Sequence, residues 1–138
     1  MNTYVIDTSV TVAWYLVEAF SSAARSWQDQ LLAGKIRILV PAFHYWEFAN
    51  VLRTLVVRGA IDARLATDIL DLHLDAPLEE AEPDRRVVLQ TALDYGATAY
   101  DAVFIALSVA NEAPLITAER TTTGWVTKLG RLIEPVGR

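Results

Sequence analysis

The sequence contains no cysteine, and only two of its 138 residues, Lys35 and Lys128, are lysines. The missing thiols exclude disulfides and thiolate metal sites, and they make a cytoplasmic setting the expected one. Positive charge is left almost entirely to arginine, and 17 carboxylates against 12 basic side chains give a net charge of −5. Broad, non-specific attachment to nucleic acid through a basic surface is therefore disfavoured, because that mode depends on neutralising phosphates. Glycine is also scarce, at six residues. There is no G-x-G phosphate loop, no G-x-x-x-x-G-K-[ST] motif and no G-x-S-x-G nucleophile turn. Long hydrophobic runs are missing as well. The longest uncharged stretches, residues 8–17 and 102–111, have ten residues each, against about 18 for a membrane span. No basic residue precedes Arg25, and Asp7 interrupts the first apolar stretch, so neither a secretory signal nor an arginine-rich transit peptide is expected.

What is present is a mixed, folding-competent composition with 53% apolar and 21% charged residues. A chain of this length buries about 68% of its unfolded surface, and one domain over residues 1–138 is expected. Thr3-Tyr4-Val5-Ile6 is a short β-forming run ended by Asp7-Thr8-Ser9, and similar runs recur at residues 36–40 and 115–117, more weakly at 78–80 and 132–133. Helical spacing fills the intervals at residues 10–17, 22–33, 45–58, 63–74, 85–95 and 99–111. Asp62 and Thr98 stand where N-caps belong, and Gly34, Gly59 and Gly96 where helices stop. Strands alternating with helices predict right-handed crossovers, hence an α/β fold: a three-layer α/β/α sandwich around a short parallel sheet.

On that scaffold the acidic residues fall in a pattern. Asp7 follows the first strand and Glu119 comes two residues after the strand at 115–117. Glu47 and Asp101 lie in the opening turns of helices. A crossover helix runs antiparallel to the strands it connects, so its N-terminus lies where strands end, and all four carboxylates are expected on one sheet edge. At a change of strand order that edge binds ligands. Each residue has a local alternative. Asp7 reads as a helix cap, Glu47 as a partner of the helix dipole, Asp101 as half of a capping box with Thr98, and Glu119 as a solvated loop residue. Carboxylates crowded together stay ionised only beside positive charge, and the nearest arginine in sequence is Arg120. A hard divalent cation, Mg²⁺ or Mn²⁺, suits an all-oxygen ligand set, and hydrolysis of a phosphodiester is the reaction such a site serves best. Setting the four acids aside leaves a charge of −1, so most of the negative charge can be local to such a site. Arg53, Arg58, Arg85, Arg86 and Arg120 are then available to a nucleic acid.

Thr8, Ser9 and Thr117 adjoin the acids and can hold a carboxylate or a metal-bound water in position; they also read as helix caps and a β-former. Asn50 follows Glu47 by three residues, on the same helix face. His44 and His73 are read as structural, and Trp14, Trp27, Trp46 and Trp125 as core or interface residues.

Val5-Ile6-Asp7-Thr8-Ser9, residues 46–52 (Trp-Glu-Phe-Ala-Asn-Val-Leu), Thr98-Ala99-Tyr100-Asp101-Ala102 and Leu115-Ile116-Thr117-Ala118-Glu119 resemble, in order and spacing, the four motif blocks of the PIN-domain family. The resemblance is strongest to VapC-like toxins of toxin–antitoxin pairs. It implies a PIN-like fold and a metal-dependent endoribonuclease in which Asp7, Glu47 and Asp101 match the core acids. Thr8 or Ser9 and Thr117 match the supporting hydroxyls. It further implies a homodimer and a VapB-like antitoxin that blocks the cleft. Glu119 departs from the pattern, which usually has Asp there, and its extra methylene bears on how, and how many, metal ions are held. Two other readings stand beside it: a non-catalytic metal-binding or interaction module on the same fold, and a receiver-type phosphoacceptor domain.

Overall fold

The computed structural model describes residues 1–137. Five parallel strands form one sheet: β1 (Asn2–Ile6), β2 (Ile36–Val40), β3 (Glu79–Glu80), β4 (Leu115–Thr117) and β5 (Ile133–Pro135), in the order β3-β2-β1-β4-β5. The chain works outward from β1 to β3, then returns to β4 on the other side of β1. The change of strand order thus lies between β1 and β4, whose registers pair Ile6 with Ile116.

Seven helices among the described residues cover the sheet: α1 (Thr8–Val12), α2 (Ser21–Leu32), α3 (Phe43–Val57), α4 (Ala63–Leu74), α5 (Arg85–Tyr95), α6 (Ala99–Asn111) and α7 (Gly124–Leu129). Strand alternation divides the core between the two faces. Ile6, Ile38, Val40 and Ile116 pack with Val10 and Trp14 near α1 and with Ala24 and Leu31 of α2. Val5, Leu39 and Leu115 pack on the other side with Phe104, Ile105 and Leu107 of α6 and Trp125 and Leu129 of α7. A third cluster joins Val12, Phe48, Leu52, Ala66 and Ile69, binding α3 and α4 to α1. This is the expected three-layer arrangement. Sheet-edge strand β3 has only two residues, and the exposed Arg37–Glu79 ion pair (2.7 Å) ties it to β2.

Helices with chemical end signals fall where the sequence predicts. Asp62 accepts from the Leu65 N–H and Thr98 from the Asp101 N–H, and α5 ends at Gly96 in the left-handed conformation that glycine adopts without strain. Three elements differ. The first helix begins at Thr8 and ends at Val12 instead of spanning 10–17. Beyond Val12, the amides of Ala13, Trp14 and Tyr15 bond three residues back. The β-branched run Val10-Thr11-Val12 and the Thr11 hydroxyl bonded to the Thr8 carbonyl favour that tighter path. Helix α3 starts at Phe43, two residues earlier than expected, because Glu82 accepts the Ala42 N–H at 2.6 Å from across the fold and satisfies its N-terminus. Helix α7 has no counterpart in the sequence reading. Trp46, read as core or interface, is 73% exposed, whereas Trp14 and Trp125 are buried.

Candidate functional site

Asp7 leaves the end of β1 at the change of strand order. It occupies the N-cap position of α1. Thr117, fully buried at the end of β4, donates to Asp7 Oδ2 at 3.0 Å and accepts the Glu119 N–H at 3.0 Å. One hydroxyl thus joins two of the expected acids, which are far apart in the chain. From the other side Thr8 donates to Glu47 Oε1 at 2.8 Å. The early start of α3 places Glu47 in its second turn, so the helix-dipole alternative for this residue is corrected: α3 has no acid in its first turn. Asp101 does lie in the first turn of α6, with the Thr98 hydroxyl beside it. Glu119 is exposed on the loop after β4 and receives a hydrogen bond from Thr123 at 3.3 Å.

Mutual electrostatic effects tie the four acids to one region. Burial pushes Asp7 up from an ordinary 3.8 to about 6; the Thr117 hydroxyl and Ser9 amide pull it back, and the charges of Asp101 and Glu119 push it further up. Burial likewise pushes Glu47 up to about 7, against the Thr8 hydrogen bond and with the charges of Asp7 and Asp101. Asp101 is raised by burial and by Glu119. No ion pair offsets these charges: among the described residues the one salt bridge is Arg37–Glu79, which joins β2 to the edge strand β3 and involves none of the four acids.

The supporting residues divide. Thr8 and Thr117 touch the acids as expected. Ser9 acts on Asp7 through its backbone amide while its side chain is exposed. Asn50, on α3 one turn after Glu47, is exposed. Sequence reasoning missed two features. Tyr100, 65% exposed and next to Asp101 in sequence, stacks on Phe43 at 5.3 Å with rings 12° from parallel, and the pair lines a cavity with Glu82, Arg85 and Val103. His44 and His73, separate in sequence, bond to each other at 2.8 Å behind Thr8. Only the helical register of Phe43 and His44 with Glu47, four and three residues on, hints at either.

An all-oxygen donor set with unbalanced negative charge fits a hard divalent cation. As the side chains lie, no three His, Asp or Glu residues among those described are gathered closely enough to ligate one ion, so binding would have to draw the carboxylates inward.

A profile of the family described as the PIN domain matches residues 4–121, from β1 to just past Glu119. The chain belongs to the PIN-domain family. The match includes all four acids, and with it the receiver-type alternative is set aside. Two solved structures carry the same fold. PAE2754 from Pyrobaculum aerophilum is 21% identical with a TM-score of 0.73, covering 98% of this chain and 91% of that one. VapBC2 from Rickettsia felis, bound to a DNA fragment from its promoter, is 14% identical with a TM-score of 0.70, covering 98% of this chain and 99% of that one. No curated protein sequence matches the chain. PIN domains are generally nucleases. No helix among the described residues is long and apolar enough to cross a membrane.

Proposed function

We propose that this PIN domain is a metal-dependent endoribonuclease and the toxin of a toxin–antitoxin pair. The observation that carries the reading is the convergence of Asp7, Glu47, Asp101 and Glu119 at one sheet edge, with no ion pair among the described residues to neutralise them. Asp7 and Asp101 would be the principal holders of Mg²⁺ or Mn²⁺, Glu47 a ligand or water-positioning base, and Glu119 an auxiliary ligand. When bound, such an ion supplies neutralising charge for the scissile phosphate and acidifies a water. The protein's own residues do the rest. Thr117 fixes one oxygen of Asp7, and Thr8 occupies Glu47 Oε1, leaving Oε2 to take a proton from the attacking water. A carboxylate titrating near 7 is suited to that exchange at neutral pH. The stacked Phe43–Tyr100 pair, next to Asp101 in sequence, offers a stacking face for a base, which supports a single-stranded substrate such as RNA.

The VapBC2 likeness supports a VapB-like antitoxin partner. Trp46 and Val57 of α3 and Leu65 and Leu72 of α4 are large apolar side chains left exposed, as a protein partner or a second copy in a homodimer requires. Purified protein incubated with an RNA panel is expected to cleave with Mg²⁺ or Mn²⁺ and not in chelator, and Asp7→Asn or Asp101→Asn to abolish cleavage. Cleavage that survives both substitutions in chelator overturns the mechanism. The absence of three gathered ligands among the described residues favours a second reading, an interaction module that lost turnover; metal binding with no cleavage of RNA or single-stranded DNA selects it.

A further inference from the structure

Behind Glu47 runs an unbroken file of polar contacts through the apolar cluster between α1, α3 and α4. Tyr15 Oη lies 2.7 Å from His73 Nδ1, His73 Nε2 lies 2.8 Å from His44 Nε2, and His44 Nδ1 lies 3.0 Å from Thr8 Oγ1, which donates to Glu47 Oε1 at 2.8 Å. Both histidines are fully buried. The Phe48 ring is stacked on His73 at 4.1 Å, and Tyr45 lies edge-on to His44 at 5.1 Å.

Counting donors fixes the direction of every link. Ionised Glu47 only accepts, so the single Thr8 hydroxyl proton is committed to it. Thr8 therefore accepts from His44, whose proton is on Nδ1. A neutral His44 then offers a lone pair at Nε2, His73 donates to it from Nε2, and the remaining lone pair on His73 Nδ1 accepts from the Tyr15 hydroxyl. Burial keeps both imidazoles neutral across the physiological range, lowering His44 to about 3 and His73 to about 4. No other proton assignment satisfies all four contacts while the histidines are neutral and Glu47 is ionised.

We infer that Tyr15, His73, His44 and Thr8 form one directed hydrogen-bond chain whose role is to hold the Glu47 carboxylate in a fixed orientation at the acidic edge. They are positioning residues and touch no reacting atom. This rests on the reading of Glu47 as a site residue, and it extends that reading from the carboxylate to the interior contact of α1, α3 and α4. The chain gives α4, which carries none of the four acids, a direct hold on the site.

Nitrogen NMR of histidine-labelled wild-type protein, at alkaline pH with Glu47 ionised, reads the tautomers without any metal. The expected result is a proton on His44 Nδ1 and on His73 Nε2. The opposite pair, or rapid averaging between the two, overturns the directed chain. A Mn²⁺ titration reads the positioning role. Thr8→Val, which keeps the shape and removes the hydroxyl, is expected to weaken Mn²⁺ binding about 10–100-fold. Thr8→Ser should retain affinity close to that of wild type, and Tyr15→Phe should weaken binding less than Thr8→Val. Unchanged Mn²⁺ affinity in Thr8→Val overturns positioning. A wild-type protein that takes up no Mn²⁺ overturns the metal reading instead, and the tautomers still decide the hydrogen-bond chain.

Discussion

Replacing Asp7 with asparagine should stabilise the metal-free protein. The folded state holds the Asp7 proton more tightly than the unfolded chain does, with about 6 against an ordinary 3.8. For an acid raised in this way, the stability associated with the group is complete below about pH 4 and is lost as pH rises through about 6. At neutral pH the gap corresponds to about 3 kcal/mol of ionisation strain. The asparagine side chain carries no charge, so that strain disappears, and its carbonyl can still accept from Thr117. Its new amide N–H₂ has no assigned acceptor, which returns about 1 kcal/mol. The expected net gain is therefore about 2 kcal/mol at pH 7, or about 6–10 °C in Tm for a domain of this size. Urea denaturation in chelator at pH 7 and pH 5 measures it. The advantage should shrink by more than about 1 kcal/mol at pH 5, where wild-type Asp7 is largely protonated. Adding Mn²⁺ to about a hundredfold above its dissociation constant should stabilise wild type by about 2.7 kcal/mol and leave Asp7→Asn nearly unmoved, closing or reversing the gap. A variant less stable than wild type in chelator at pH 7, or a difference that ignores pH, refutes the argument that Asp7 is an uncompensated buried charge.

Three further substitutions probe the surroundings. Thr117→Val removes the donor to Asp7 and the acceptor of the Glu119 amide; it should cost about 1–3 kcal/mol in denaturation and move the acid limb of RNA cleavage to higher pH, because Asp7 loses the hydrogen bond that holds its pKa down. Glu119→Gln removes a charge that raises Asp7 and Asp101, so their titrations followed by carboxylate NMR should shift to lower pH, while Mn²⁺ affinity falls about tenfold instead of vanishing as in Asp101→Asn. Phe48→Ala empties a fully buried position against His73 and should cost about 3–5 kcal/mol; a loss below about 1 kcal/mol would mean that the contact of α1, α3 and α4 repacks freely.

Legibility in the sequence follows the range of the interactions involved. Helices α4, α5 and α6 are readable to the residue because Asp62, Thr98 and Gly96 terminate them through contacts within a few positions. Helix α3 starts two residues ahead of its sequence expectation because the group that satisfies its start, Glu82, arrives from 40 positions away. The short α1 is shorter than its pattern because apolar spacing continues through residue 17, while the backbone beyond Val12 takes the tighter turn. In α7 the apolar residues sit behind a threonine run that carries no strong periodicity. The site obeys the same division. Asp7, Thr117 and Glu119 can be placed from topology alone, since parallel neighbours β1 and β4 end together. Asn50 is different, because spacing along a helix gives a face and not a contact, and the exposed side chain has, among the described residues, no hydrogen bond that ties it to an acid.

The two histidines mark where sequence reasoning stops. Each reads singly as a core residue, and buried they are, but their meaning lies in a pairing 29 positions apart that exists only when α3 and α4 lie together. Their burial without charge also sharpens the electrostatic case. The interior beside Glu47 is supplied with hydrogen-bond donors and aromatic rings but with no ion pair among the described residues, although a single lysine at a neighbouring position would relieve the acids. A fold that keeps four carboxylates in mutual repulsion, and orders one of them with a file of neutral donors, bears a stability cost that packing does not require. A cation held by these carboxylates would offset that cost, which is why the effect of metal on the stability of wild type and Asp7→Asn separates a working site from an incidental cluster.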